Sequence, residues 1–278
     1  MPQRDPCAGT PLFTTRSDHR GCSRVAEEVA WTHAGDDDDG MQPVFMLVHS
    51  PSVGPLTWNP VADRLRAHGY ESVVPSLVGL ADIDPPFWPW VVDEVTAATA
   101  RLGQDQSVLL VAHSNAGLFI PLLVAHATRP IAGCLFVDAA IPALTGTTPV
   151  VPDELLAILR SKVSDGRLPP WTQWWDEEDV APMFPDPEVR AAVTAEEPRL
   201  PLAYYEQSIP VPGGWDDRPC GYLLFGPPYD EVAADARSRG WLVEELPGQH
   251  LHQIIDPDST ASKLIAMAQR LESNDAAR

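Results

Sequence analysis

One serine in this chain stands where its hydroxyl could attack a carbonyl. Ser114 lies in Ala112-His113-Ser114-Asn115-Ala116-Gly117, with a small residue two places to either side. The apolar run Ser107–Val111 precedes it and a second, Leu118–Val124, follows. A strand, a serine and a helix joined this tightly leave no room for larger flanking side chains, and the turn lifts the serine Oγ to the top of the sheet. A serine hydroxyl is a weak nucleophile unless a base takes its proton and a third group orients that base. Downstream, His250 and His252 in Gly248-Gln249-His250-Leu251-His252 are both candidates for the base. The orienting carboxylate has two candidates. Asp138 closes the apolar run Cys134–Val137, where an unpartnered carboxylate would be costly and a histidine partner would remove that cost. Asp230 follows Leu223-Leu224-Phe225 and stands where a helix N-cap is wanted, which explains it structurally. Asp138 is preferred and Asp230 is the alternative acid.

These residues are positioned by strands that alternate with helices. Val44–Val48, Ser72–Val74, Ser107–His113, Ile131–Val137, Tyr222–Phe225 and Trp241–Leu246 read as strands. Between them, 58–68, 90–102, the segment after Ser114, 230–239 and about 258–271 read as helices. That order predicts an α/β fold, a mostly parallel sheet with helices on both faces. From about residue 142 to 219 the alternation breaks into a region rich in proline and tryptophan, with helical pieces at 153–162 and 187–195.

Composition narrows the function. Nineteen basic against thirty-nine acidic residues give a formal charge of −20 over 278 residues. Nucleic acid and anionic membrane surfaces would be repelled, so a small-molecule substrate is expected. The cysteines at 7, 22, 134 and 220 are far apart and no cluster has metal-ligand spacing, so neither metal nor cofactor is implied. No apolar stretch reaches the length of a membrane span and the N-terminus has no signal core, which predicts a cytoplasmic protein. Residues 1–40 lack periodicity and end in Asp36-Asp37-Asp38-Asp39-Gly40. They are expected to be a disordered leader before a domain at 41–278, with Met41 an alternative start. Oligomeric state leaves no sequence signal.

From Met41 onward the chain resembles the α/β-hydrolases of the single-domain, lidded kind, and in particular actinobacterial-like hydrolases with His-Ser-Asn-Ala-Gly at the nucleophile turn. The resemblance rests on Ser114 in its small-flanked turn, on the strand and helix around it and on the order serine, acid, histidine. It implies a lid inserted after the sixth strand, here about 142–219. It selects His250 as the base, seven residues before Pro257 at the final helix, and leaves His252 at the pocket or surface. The family more often draws its acid from the later strand, three residues after a glycine. Three after Gly226 is Tyr229, and Asp230 is one further. The resemblance also implies an oxyanion hole formed by the Asn115 N–H and an N–H of the loop after the first core strand. That loop reads His49-Ser50-Pro51-Ser52, and Pro51 has no N–H at the usual donor position. Ser50 is expected to supply the donor, with Ser52 the other candidate.

In the lid, Trp171, Trp174 and Trp175 are expected to bind substrate, with Phe184, Tyr204 and Tyr205 as further apolar lining. Glu197, Arg199 and Glu206 are expected to form lid ion pairs. The implied activity is a serine hydrolase acting on a small or medium apolar ester, thioester or lactone through an acyl-enzyme. The alternatives are a cofactor-free lyase or isomerase using His250 as base, and a non-catalytic ligand-binding protein.

Overall fold

The computed structural model describes residues 42–276 apart from residue 104. The expected leader at 1–40 and the alternative start at Met41 lie outside them. Eight strands are described: β1 Val44–Val48, β2 Ser72–Val73, β3 Val108–His113, β4 Ile131–Val137, β5 Gly146–Pro149, β6 Ser208–Val211, β7 Cys220–Leu224 and β8 Leu242–Glu245. Six of them form one parallel sheet in the order β2-β1-β3-β4-β7-β8. The expected parallel α/β sheet is present.

Its central strands β1, β3, β4 and β7 are almost wholly apolar because the sheet is covered on both sides. Alternate residues feed two separate layers. Val44, Met46, Val48, Leu110, Ala112 and Phe136 pack on one face, and Phe45, Leu47, Leu109, Val111 and Leu135 on the other. The first face is covered by α2 (Trp88–Ala98) and α3 (Ile120–Ala125). The second is covered by α1 (Asn59–Ala67), through Val61 and Leu65.

The lid segment enters after β4, the fourth strand of this sheet among the described residues, and leaves before β7. It contains the antiparallel pair β5–β6, with Thr148 opposite Ile209. It also contains α4 (Asp153–Lys162), α5 (Glu177–Val180), α6 (Pro187–Glu196) and α7 (Leu202–Glu206). This pair was not expected from sequence, because its strands are far apart in the chain and Gly146-Thr147-Thr148-Pro149 is largely exposed with no apolar alternation. After the lid come α8 (Asp230–Ser238), α9 (His252–Ile255) and α10 (Pro257–Ala276). Leu264, Met267 and Leu271 of α10 join α1 over the second face.

Candidate active site

The loops leaving the carboxyl ends of β1, β3, β4, β7 and β8 converge, as open parallel sheets favour. At the end of β3, Ser114 adopts φ +58°, a left-handed conformation rare for a side-chain-bearing residue. Such strain persists where the surroundings over-determine it, and it turns the chain so sharply that Oγ projects from the sheet. A 3-10 turn over Ser114–Phe119, rather than the first turn of an α-helix, follows before α3. Gly117 is what lets this turn pack. A Cβ there would lie 2.2 Å from the Ala140 carbonyl oxygen, and Ala140 donates its N–H to the Ser114 carbonyl at 3.0 Å.

Asp138, the residue after β4, is fully buried and also in the left-handed region, at φ +44°. Its Oδ1 accepts the N–H groups of Phe225 at 3.0 Å and Gly226 at 3.4 Å. Its Oδ2 accepts from His250 Nδ1 at 2.7 Å. The carboxylate is thus paired on both oxygens, which buried charge requires. Tyr222 clamps the next residue, with its hydroxyl accepting the Ala139 N–H and donating to the Ala139 carbonyl, both at 3.0 Å.

With its Nδ1–H committed to Asp138, His250 presents Nε2 as an acceptor to the Ser114 hydroxyl, 3.0 Å away. The structure therefore brings Ser114, His250 and Asp138 into one hydrogen-bonded chain. Asp230 is not part of it. It is exposed, in the first turn of α8, and the N-cap position belongs to Tyr229. His252 packs edge-on against Phe225, with ring centroids 5.4 Å apart. Gly248 accommodates that packing, since a Cβ there would sit 2.2 Å from His252 Nδ1. The loop therefore needs its glycine at 248, which leaves 249 free to be Gln.

The imidazole of His250 is boxed in by rings. His113 lies against it at 4.6 Å between centroids and donates its Nε2–H to the His250 carbonyl at 2.8 Å. Tyr229 stacks on it at 5.1 Å with the planes 7° apart, and Trp171 reaches it at 6.1 Å. The stacking of Tyr229 on His250 was missed from sequence. The available signal was that Tyr229 occupies the place where the resemblance expects an acid.

In the parallel register Val48 lies opposite Ala112, so the His49–Ser52 loop runs beside the Ser114 turn. His49 is locked as a neutral ring. Its Nδ1–H donates to the Ser50 carbonyl at 2.8 Å, and its Nε2 accepts the Leu77 N–H at 2.9 Å. Ser50 and Ser52 are buried. The Ser50 carbonyl also receives the Val53 N–H, and Ser52 Oγ is bonded to the Tyr205 hydroxyl at 2.7 Å. On the other side, the Asn115 side chain donates to the Val150 carbonyl at 2.8 Å and accepts from the Tyr204 hydroxyl. Tyr204 and Tyr205, adjacent on α7, thus fasten the lid to both loops rather than lining a cavity.

The other lid residues divide. Trp171 is at the site. Trp174 is buried against Tyr205, its indole N–H donating to the Pro169 carbonyl at 2.9 Å. Trp175 faces solvent at 37% exposure. Phe184 is buried in a small lid cluster with Val180 and Val193. Glu206 pairs with Arg160 at 2.9 Å, while Arg199 donates to the Leu168 carbonyl. Glu197 accepts from Thr172 N–H and Oγ1, and burial raises its pKa above the usual carboxylate value. Cys134 and Cys220 are buried thiols on paired strands. Among the described residues no three His, Cys, Asp or Glu side chains gather into a metal-binding group, and no helix is long and apolar enough to cross a membrane.

Burial of the two flanking histidines has a measurable consequence. Desolvation pushes His49 from 6.5 down to about 4 and drives His113 well below 6.5. The unfolded chain therefore takes up protons that the folded one refuses. Stability from these two residues is complete above about pH 6.5 and falls as the pH drops, by about 1.4 kcal/mol per pH unit for each. Urea unfolding at pH 7, 6 and 5 should show this slope, and His49→Gln should flatten it by one residue's share.

Comparison with known proteins agrees with the α/β fold. The sequence profile described as the Alpha/beta hydrolase family matches residues 45–262. No curated protein matches by sequence. Among solved structures, an extracellular alpha/beta-hydrolase from a Paenibacillus species is 17% identical at a TM-score of 0.63, covering 81% of this chain and 98% of its own. A pyrethroid hydrolase from Sphingobium faniae is 20% identical at a TM-score of 0.59, with coverages of 82% and 97%. Tomato methylketone synthase I is 14% identical at a TM-score of 0.64, with coverages of 83% and 98%. At these identities the likeness is one of fold.

Proposed function

The chain belongs to the alpha/beta hydrolase family, and from that footing we propose that it hydrolyses a small or medium-sized apolar ester, thioester or lactone through an acyl-enzyme on Ser114. The observation that carries this reading is the unbroken chain Ser114 Oγ–His250 Nε2 at 3.0 Å and His250 Nδ1–Asp138 Oδ2 at 2.7 Å. Ser114 attacks the carbonyl carbon as its proton passes to His250 Nε2. Asp138 holds the imidazole in the tautomer that can accept that proton and stabilises the imidazolium that results. The Asn115 N–H, at the start of the turn, faces the developing oxyanion. Collapse expels an alcohol or thiol, which takes its proton from His250. Water, activated by the same imidazole, then releases the acid.

An apolar substrate is supported by the rings of Trp171 and Tyr229 around His250, and ester hydrolysis by the neighbour named as a pyrethroid hydrolase. One observation favours a second reading. Pro51 removes a backbone donor from the oxyanion loop, and loss of one such donor costs about 10²–10³ in turnover. A lyase or isomerase that uses His250 as base, with Ser114 only hydrogen-bonding, would not need that donor.

A fluorophosphonate probe separates the two. Covalent labelling mapped to the Ser114 peptide, together with turnover of p-nitrophenyl esters, is the expected result. A folded protein that takes no label at Ser114 would exclude the acyl-enzyme.

A further inference from the structure

Two carboxylates stand at the wrong end of a helix. Glu196 ends α6 and Glu197 follows it, where the carbonyl end of the helix disfavours negative charge. Both are bonded to backbone N–H groups of other segments. Glu196, half-buried, accepts the Leu56 N–H at 2.9 Å, in the short 3-10 turn Pro55–Thr57 that follows the His49–Ser52 loop. Gly54 makes room for it, because a Cβ there would collide with Glu196 Oε2. Glu197 is buried, and its Oε2 accepts the Thr172 N–H at 3.0 Å and the Thr172 O–H at 2.8 Å. Its Oε1 has no hydrogen-bond partner among the described residues. A buried carboxylate satisfied on one oxygen only is costly, and such breaches of local rules gather at functional sites.

Thr172 belongs to the 3-10 turn Trp171–Gln173, and the Trp171 ring reaches the His250 imidazole at 6.1 Å between centroids. A continuous path of contacts therefore leaves the core after β1, crosses the end of α6 and returns to His250. In the proposed acyl-enzyme reaction the leaving oxygen takes the proton from His250 Nε2 as its bond to carbon breaks. That oxygen must come within hydrogen-bond reach of Nε2, so its substituent emerges beside the imidazole, among the rings around it. Trp171 is the lid's contribution to those rings. It is half-buried, with its packed part on the small cluster that holds Leu251, next to His250.

We propose that Trp171 is the wall against which the leaving group lies, and that Glu197 is the residue that positions it. The substrate class that follows is an ester or thioester whose alcohol or thiol part is flat and apolar. An indole offers such a group a large apolar face and a favourable ring–ring contact. A three-residue turn alone would hold that indole loosely, and the two hydrogen bonds from Thr172 to Glu197 fix it. A wall fixed in advance loses less freedom when substrate binds, so more of the contact appears as affinity.

The inference rests on Ser114 acting as nucleophile, and its test keeps the two apart. Values of kcat and KM are measured on ethyl acetate and 2-naphthylmethyl acetate, which share an acyl part, and on 2-naphthylmethyl hexanoate, which changes it. In the wild type kcat/KM for the naphthylmethyl acetate should exceed that for the ethyl ester by about 100-fold. Trp171→Ala and Glu197→Ala should each lower this alcohol ratio about tenfold or more, and leave the hexanoate-to-acetate ratio within about twofold. The double variant should be no lower than Trp171→Ala, because Glu197 acts through the indole. Glu197→Gln, which keeps an acceptor for Thr172, should recover the wild-type ratio. Thr172→Val, which deletes one donor and keeps the shape, should lower it about threefold, and it decides the matter if Glu197→Ala does not fold. A wild-type alcohol ratio near unity, or a Trp171→Ala variant that shifts the acyl ratio instead, would overturn the inference and leave the acyl-enzyme standing. Glu197→Ala or Thr172→Val proteins that are less stable yet keep the wild-type alcohol ratio would overturn the positioning role. A wild-type protein that takes no fluorophosphonate label at Ser114 would defeat both readings.

Discussion

Ser114→Ala and His250→Ala should each lower ester turnover by roughly a millionfold, and the double variant should be no worse than either. That scale is the one known for serine protease triads, where nucleophile and base work as a unit, so removing one leaves nothing for the other to do. Both side chains end at the site surface, and neither is a large apolar group of the core. Their truncation should therefore leave the thermal unfolding curve close to that of wild type. His252→Ala is the matched comparison. Its ring packs on Phe225 and not on Ser114, so turnover should stay within about tenfold while stability drops modestly. Steady-state assays on the three variants check the ranking. A crippled His252→Ala beside an active His250→Ala would mean that the base comes from the other histidine.

Asp138→Asn should cost about ten-thousandfold in turnover with the fold intact, the figure established for the equivalent change in a serine protease. The amide can still accept the Phe225 N–H. Toward His250 it either offers an N–H where an acceptor is needed or is left as a weak acceptor, and the imidazole settles in the wrong tautomer. Asp230→Asn should be close to silent, because Asp230 is exposed and contributes only a favourable charge to the first turn of α8. Should the two outcomes be exchanged, Asp230 rather than Asp138 would be the working acid. Should both variants stay active, the lyase or isomerase chemistry, which needs no orienting carboxylate, would gain.

The framework was legible because each strand of a doubly covered sheet is an apolar run of a few residues, bounded by glycine, proline or a polar turn. Val44–Val48 and Ile131–Val137 carry that pattern without interruption and were read with their observed ends. The serine, its base and the buried acid were legible for other reasons. Ser114 and Asp138 each follow or close such a run, whereas His250 is selected by the family resemblance, seven residues before Pro257. What could not be read was placement across long sequence distances. Nothing local separates Trp171, which reaches His250, from Trp174, which packs inside the lid, or from Trp175, which faces solvent. The ring stack of Tyr229 on His250 depends on how the loops after β7 and β8 meet. The antiparallel pair β5–β6 joins segments far apart in the chain, and the largely exposed β5 has no apolar pattern to mark it.

The paired tyrosines on α7 limit how freely this scaffold can exchange parts. A lid is commonly regarded as a replaceable cap that sets specificity above an independent catalytic floor. Here Tyr204 is bonded to the residue after the nucleophile and Tyr205 to the loop after β1. A cap taken from a relative without this pair would leave the buried Ser52 hydroxyl and the half-buried Asn115 amide without those partners, an expensive state for polar groups. Grafts at 142–219 that retain both tyrosines should therefore be recovered as active enzymes far more often than grafts that replace them. Substitutions on the outer face of the lid around Trp175 should likewise be tolerated better than substitutions on α7.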